Sequence, residues 1–201
     1  MSAGATLWFT GLPSSGKSTI AREVEAILLR RNLSVELLDG PEVRQSLSRG
    51  LGFSRDDREE NLRRIGYVAK LLSRNGVIAI CASVSPYRAT RNEIRERVTN
   101  FIEIFVDVSL AVAERRDSEG LYARARSGAI EEFTGVTAPY EPPESPEVHI
   151  QSDRESVESA AGKVVKTLEL IGIIPVAEGH DRLNVADEDE VRRRLAGLGY
   201  I

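Results

Sequence analysis

Residues 6–19 read T-L-W-F-T-G-L-P-S-S-G-K-S-T, and this stretch decides the fold. Leu7, Trp8 and Phe9 form a short apolar run of the kind that becomes a buried strand. Gly11, four intervening residues, Gly16, Lys17 and Ser18 then complete the phosphate-binding loop pattern G-x-x-x-x-G-K-[ST]. The chemistry needs those residue types at that spacing. The two glycines let backbone N–H groups of Gly11, Leu12, Pro13, Ser14, Ser15 and Gly16 (proline excepted) turn around phosphate oxygens. Lys17 supplies a point charge to the β- and γ-phosphates, and the Ser18 hydroxyl suits Mg²⁺. Thr19 and the helix-forming run at 20–31 follow, so the helix points its positive end at the anion. Strand before and helix after are the context the motif requires. A nucleoside triphosphate site follows.

Outward from the loop, strand-like and helix-like runs alternate. Residues 34–38 read as a second strand ending at Asp39-Gly40, and 54–75 as a helix with Leu62, Ile65, Ala69 and Leu72 at helical spacing. The near-continuous apolar run at 77–84 is expected of a strand covered on both faces. Pro86 is placed at a first helical turn, with a charged helix to about 98. A strand at 101–108, a helix to about 117, a strand at 147–151 and a closing helix at 157–170 complete the series. Repeated β-α units with the phosphate loop at the first turn predict an α/β fold: a three-layer α/β/α P-loop NTPase with a mainly parallel sheet. The kinase domain is expected over 1–174 and a tail over 175–201.

Two segments break the alternation. Residues 118–145 are long, charged and punctuated by glycines and by Pro139, Pro142 and Pro143, which reads either as a lid or as a long surface loop. In the tail, a polar link precedes a short amphipathic helix around 187–196. Val191, Leu195 and Leu198 form a stripe that either docks on the domain or another subunit, or belongs to a frayed end.

Composition narrows the classes. With 27 basic and 31 acidic residues the net charge is −4, which argues against general nucleic-acid or membrane-surface binding. No apolar run approaches the length of a bilayer span, and the N-terminus lacks a secretory pattern. The single cysteine, Cys81, lies in an apolar run, where a buried thiol is expected, and His149 and His180 lack metal-ligand neighbours. A cytoplasmic protein is expected.

Ligands of an open parallel sheet gather at the carboxyl ends of its strands, here the loop, Asp39, 83–85 and Asp107. Asp39 is suited to accept a substrate proton, to orient the hydroxyl, or to hold Mg²⁺ through water, and equally to cap a helix near Pro41. Downstream arginines, among them Arg44, Arg58, Arg88 and Arg91, suit phosphate or sulfate oxygens and suggest an acidic second substrate. Phe53 and Phe133 stand in loop sequence, where stacking on a nucleobase competes with simple packing.

Further motifs follow the loop in order: L-D-G at 38–40, V-R at 43–44, L-G-F-S at 51–54, D-D-R-E-E-N-L-R-R-I at 56–65 and S-P-Y-R at 85–88. They continue with F-I-E-I-F-V-D at 101–107, R-D at 116–117, G-L-Y at 120–122, A-R-x-G at 125–128, F-T-G at 133–135 and P-Y-E-P-P at 139–143. On these motifs the chain resembles the adenylylsulfate kinases over about residues 5–170. The resemblance implies transfer of the ATP γ-phosphate to the 3′-hydroxyl of adenosine 5′-phosphosulfate in sulfate assimilation, with Mg²⁺ as cofactor and ATP as co-substrate. By the same resemblance Asp39 is the catalytic carboxylate, aided by Lys17, with Ser18 and Asp39 toward the metal and Arg116 toward ATP. Arg44, Arg58, Asn61 and Val84 hold the adenylylsulfate, and Phe53 and Phe133 sandwich its adenine. Ser85 matches the family's phosphoenzyme serine, although direct in-line transfer needs no covalent step. A homodimer acting on small nucleotides is expected, with no nucleic-acid or membrane partner.

The chain also departs from the pattern. The family's D-G-D-N is D-G-P-E at 39–42, with Glu42 a stand-in for one acidic group. Lysines common in the family's lid are Glu119, Ala123 and Glu132 here, which weakens attraction for a polyanionic pair. Two further readings therefore stand beside the first: a kinase of the same fold with another nucleotide or small hydroxyl acceptor, and a nucleotide-binding module with little catalysis.

Overall fold

The computed structural model describes residues 4–176 and 185–201. His180 and the polar link expected in the tail fall at 177–184, outside the described residues. In chain order the elements are β1 (Ala5–Thr10), α1 (Lys17–Arg30), β2 (Val35–Asp39), α2 (Gly40–Ser46), α3 (Arg55–Ser73), β3 (Ile78–Ala82) and α4 (Arg88–Arg97). Then follow β4 (Phe101–Asp107), α5 (Leu110–Arg115), α6 (Leu121–Arg126), β5 (Val148–Gln151), α7 (Val157–Leu170) and α8 (Val185–Gly197). Among the described residues the strands form a five-stranded sheet in the order β2-β3-β1-β4-β5. Each pairing is parallel, with Trp8 opposite both Cys81 and Glu103 at the centre.

The layers follow from the period-2 alternation of strands buried on both faces. Leu7, Phe9, Ile78, Ile80, Ile102 and Ile104 face α1 and α7, whose Ile20, Val24, Leu28, Val164 and Leu168 close one core. Trp8, Ala79, Cys81 and Phe101 face the other way, against Leu62, Ile65 and Ala69 of α3 and Ile94 of α4. The three-layer arrangement expected from the alternation is therefore present. Burial pushes the Cys81 thiol pKa far up, so it is an inert core group.

Asp39 ends β2, which β3 separates from β1, and it reaches the phosphate loop through the first turn of α1. One local expectation is corrected. Pro86 does not open α4. Tyr87 stays extended as its N-cap (φ −102, ψ 125), and the Pro86 carbonyl accepts from Glu141 N at 2.8 Å, which ties that peptide to the 118–145 segment. That segment holds α6, and its Tyr122, Ala125 and Phe133 join Val108 and Ala113 in a small apolar cluster. At the other end, α8 packs on α7 with Val191 and Leu195 buried, so the tail stripe docks on its own domain. Leu198 is only half-buried.

Candidate active site

The phosphate loop runs from the carboxyl end of β1 to the amino end of α1 and sits close against β4. A Cβ on Gly11, whose φ is +153, would meet Val106 O at 2.4 Å, so the backbone approach admits glycine alone. Lys17 folds back over the loop: its Nζ donates to Leu12 O at 2.7 Å, Gly11 O at 3.1 Å and Ser15 Oγ at 3.3 Å. Burial lowers its pKa from 10.5 to about 7, only partly offset by the charge of Asp39. A change of that size corresponds to roughly 5 kcal/mol against the ammonium form. A phosphate arriving at the loop replaces uncharged oxygens with a charged partner and reverses that preference.

Asp39 is buried at the end of β2, where three donors meet it. Ser18 Oγ donates to Oδ1 at 2.7 Å, the Gly40 N–H donates to the same oxygen at 2.9 Å, and Arg22 donates to Oδ2 at 2.8 Å. The bond from Gly40 makes Asp39 the N-cap of α2, so the capping and site roles coexist. Ser18 and Arg22 are one helical turn apart on α1, which lets one face of that helix hold the carboxylate.

Beyond Asp39 a cleft of about 450 Å³ opens. Pro13, Ser14, Lys17, Ser18 and Asp39 line one end, and Arg44, Phe53, Arg58, Asn61, Val84, Ser85 and Phe133 line the rest. Phe53 is mostly exposed, with the Arg44 guanidinium stacked 4.2 Å from its ring centre. Arg58 spans from α3 to the 118–145 segment, donating to Phe53 O at 2.7 Å, to Thr134 Oγ1 at 2.5 Å and to Glu132 O. Burial lowers the pKa of both arginines. Phe133 differs from Phe53: it is buried edge-on to Tyr122, ring centres 5.0 Å apart, and only borders the cleft. Asn61 is buried, and its Oδ1 finds no hydrogen-bond partner among the described residues. An orphaned acceptor on a cleft wall is a place for a ligand donor.

The segment above the cleft is fastened to the phosphate loop at two points. Tyr122 of α6 donates its hydroxyl to Pro13 O at 2.9 Å. Gly135, at φ +91, lies where a Cβ would press Leu12 Cδ2 at 2.8 Å. Ser85 sits on the opposite wall with φ +46, uncommon for a residue with a side chain. Its hydroxyl accepts from the Trp8 indole at 3.0 Å and is almost wholly buried. Its carbonyl accepts from Arg91 at 2.6 Å. Thr10 at the end of β1 completes this wall, bonding Val84 O at 2.8 Å and meeting the Tyr140 hydroxyl at 2.9 Å.

Most of the residues singled out in the sequence thus meet in one cleft. Gly11, Leu12, Ser15 and Gly16 shape the loop from behind, while Thr19 is exposed on α1. Arg116 lies elsewhere, at the end of α5, donating to Ser152 O at 2.8 Å after β5. Glu42 is exposed on α2 and absent from the cleft wall, so it does not take the place of an acidic group in the site. Arg22 was missed by sequence reasoning. Its signal was the i, i+4 spacing from Ser18. Thr134, Asp117 and Glu119 also line the cleft without having been singled out as ligands. No group of three or more His, Cys, Asp or Glu is placed to hold a metal among the described residues. The Ser18–Asp39 pair nonetheless presents two hard oxygen atoms beside a phosphate site, which fits Mg²⁺ completed by water and phosphate.

Comparison with known proteins places this cleft in context. The sequence model of the family described as adenylylsulphate kinase matches residues 3–151. The adenylyl-sulfate kinase of Halothermothrix orenii is 50% identical over 175 residues, covering 87% of this chain and 95% of that one. That of Microcystis aeruginosa is 50% identical over 171 residues, covering 85% and 94%. Among solved structures, the Mycobacterium tuberculosis APS kinase in complex with AMPPNP and APS superposes with a TM-score of 0.80 at 41% identity, covering 84% of this chain and 99% of that one. A hexameric APS kinase from Thiobacillus denitrificans gives a TM-score of 0.66 at 36% identity, covering 86% of this chain and 30% of that one.

Proposed function

The chain belongs to the adenylylsulphate kinase family, and on that premise we propose that it transfers the γ-phosphate of ATP to the 3′-hydroxyl of adenosine 5′-phosphosulfate. One observation carries the reading. A single cleft joins a phosphate loop with its lysine and hydroxyl to a second end built of Arg44, Phe53, Arg58 and Asn61, with Asp39 between them. The relative solved with both an ATP analogue and APS shows that this kind of fold holds the two nucleotides together. The kinase domain spans 1–174, and 118–145 act as its lid.

ATP lies with its phosphates in the loop, where Lys17 leaves the carbonyls of Gly11 and Leu12 for the β- and γ-oxygens. Arg44 and Arg58 face the phosphosulfate, Phe53 stacks on the adenine, and Asn61 Oδ1 accepts a donor from the acceptor. Asp39 takes the proton of the 3′-hydroxyl as its oxygen attacks the γ-phosphorus. The bond from that phosphorus to the bridging oxygen breaks and ADP leaves. Ser18 and Asp39 would hold Mg²⁺, which when bound offsets charge on the β- and γ-oxygens. No covalent enzyme intermediate is needed: Ser85 Oγ is buried and committed to Trp8. The lid residues Tyr122 and Gly135 keep the loop covered and water out.

A cytoplasmic homodimer is part of the same reading. Self-association has support in the hexameric relative; sedimentation velocity decides the oligomer. No described helix is long and apolar enough to cross a membrane. The assay is direct: purified protein, ATP, Mg²⁺ and adenylylsulfate, followed for ADP and the 3′-phosphorylated product. Product with adenylylsulfate but not with adenosine 5′-monophosphate is the expected result. Absence of product with protein that binds ATP overturns the assignment.

A further inference from the structure

Helix α8 lies past residue 151, where the match to the family model ends. Charge and burial fix it to α7. Lys163 meets Glu190 at 3.0 Å and Asp187 at 3.7 Å, Lys166 meets Glu188 at 3.4 Å, and Val191 and Leu195 are buried. The chain then turns at Gly199 (φ +78), Tyr200 N donates to Leu195 O at 3.0 Å, and the Tyr200 hydroxyl donates to Glu147 Oε1 at 2.9 Å. Burial, then the charge of Glu147, pushes the Tyr200 pKa up to about 12, so the hydroxyl keeps its proton.

Glu147 is one member of a buried ionic chain. It accepts from Arg95 at 2.5 and 2.9 Å and from Glu103 N at 2.6 Å. Arg95 also meets Glu103 Oε2 at 3.2 Å, and the other Glu103 oxygen accepts from Arg91 Nε at 2.7 Å. Arg91 is 1% exposed. Its two remaining nitrogens donate to Ser85 O at 2.6 Å and to Glu141 O at 2.8 Å. Two carboxylates and two guanidiniums are thereby strung from the tail to the cleft wall and the root of the lid. Arg91, Glu103 and Glu147 are buried, while Arg95 is partly exposed and Tyr200 is exposed at the outer end. The buried members depend on the geometry of their neighbours, because an unmatched lone pair or N–H there is costly. Ser85, at φ +46, holds a conformation that its surroundings must maintain.

We infer that Tyr200 and helix α8 are positioning elements of the acceptor site, acting through Glu147, Arg95, Glu103 and Arg91 on the carbonyls of Ser85 and Glu141. Without the tyrosine hydroxyl, Arg95 turns further onto Glu147 and loosens from Glu103. Arg91 then loses its fixed partner, and the wall that faces the acceptor relaxes. The phosphate loop meets this wall only at its root, where Thr10 Oγ1 lies 3.3 Å from Ser85 O and Gly11 N donates to Val84 O at 3.4 Å, while among the described residues Lys17 and Ser18 have no bond to the ionic chain. The inference rests on the kinase reading for its kinetic consequence, not for its structural one.

The test uses the full chain with Tyr200→Phe, Arg95→Lys and the double variant. Expected for Tyr200→Phe is faster hydrogen exchange at the amides of Arg88, Glu103 and Glu141. With it should come a rise of about fivefold in KM for adenylylsulfate, the KM for ATP and kcat staying within about twofold. In the Arg95→Lys background the tyrosine change should add almost nothing, as for two links of one chain. Unchanged exchange in Tyr200→Phe overturns the inference. So does faster exchange with an unchanged KM for adenylylsulfate, which makes the tail merely structural, and so do effects that simply add. If wild-type protein does not turn over adenylylsulfate at all, the kinase reading falls, and the exchange measurements, which need no acceptor, still decide for or against the chain.

Discussion

With its ammonium hydrogen-bonded only to oxygens of its own loop, Lys17 has a pKa of about 7 in the ligand-free protein, lowered by burial. A polyphosphate stabilises the charged form, so the pKa rises on binding. Between the two values ATP binding takes up a proton. At about pH 8.5, where free Lys17 is mostly neutral, uptake should approach one proton per site. Calorimetry in buffers of different ionisation enthalpy reads this directly, and ATP affinity should weaken as pH rises above 7. Lys17→Ala should abolish both the proton uptake and most of the turnover while leaving the fold intact. Stability has its own sign here. The folded pKa lies below the unfolded one, so the penalty is full below pH 7 and is relieved as pH rises toward 10.5. Asp39→Asn keeps the cap on Gly40 but cannot take a proton, so kcat should fall by about 100-fold or more with smaller changes in KM. Glu42→Gln, on an exposed side chain outside the cleft, should leave kinetics at wild-type values.

At the scale of elements, the proposed lid rests on contacts that Gly135 and Tyr122 make with the loop below. Gly135→Ala meets both a positive φ and a Cβ 2.8 Å from Leu12, so the segment must lift. Turnover should drop by about tenfold with the unfolding midpoint little changed, because closure and not the core is disturbed. Glu119, on the cleft wall, opposes the anionic substrates. Glu119→Lys should raise kcat/KM at low salt and lose the advantage as salt screens it. The phosphate loop, the β-α alternation and the helix of α3 were legible because each leaves a local or periodic trace. Pro86 misled because a proline suits both a first helical turn and an extended approach to one. Its carbonyl's bond to Glu141, far along the chain, decided the matter. Phe53 and Phe133 looked alike in loop sequence, and only packing separates the exposed ring over Arg44 from the ring wedged against Tyr122.

For the molecule as a whole, the order of the sheet and the ionic chain from Tyr200 to Ser85 lie beyond a sequence reading. Buried pairs such as Arg91 with Glu103 and Arg95 with Glu147 have no periodicity, and a lone charged residue in sequence looks like any solvated one. The docking of α8 was half legible: its stripe was visible, but its partner was not. Leu195→Ala, at a fully buried position, should destabilise the protein by about 2–5 kcal/mol, read from the denaturant midpoint. A last consequence comes from the centre of the sheet. Trp8 is the only tryptophan of the chain, fully buried and hydrogen-bonded through its indole to Ser85 on the cleft wall proposed to face the acceptor. Indole emission responds to the polarity and hydrogen bonding around the ring, so the protein carries an unlabelled optical reporter of that wall. Titration with acceptor alone should alter the brightness or colour of this single fluorophore, and stopped-flow mixing then times the arrival of the second nucleotide without any chemistry taking place.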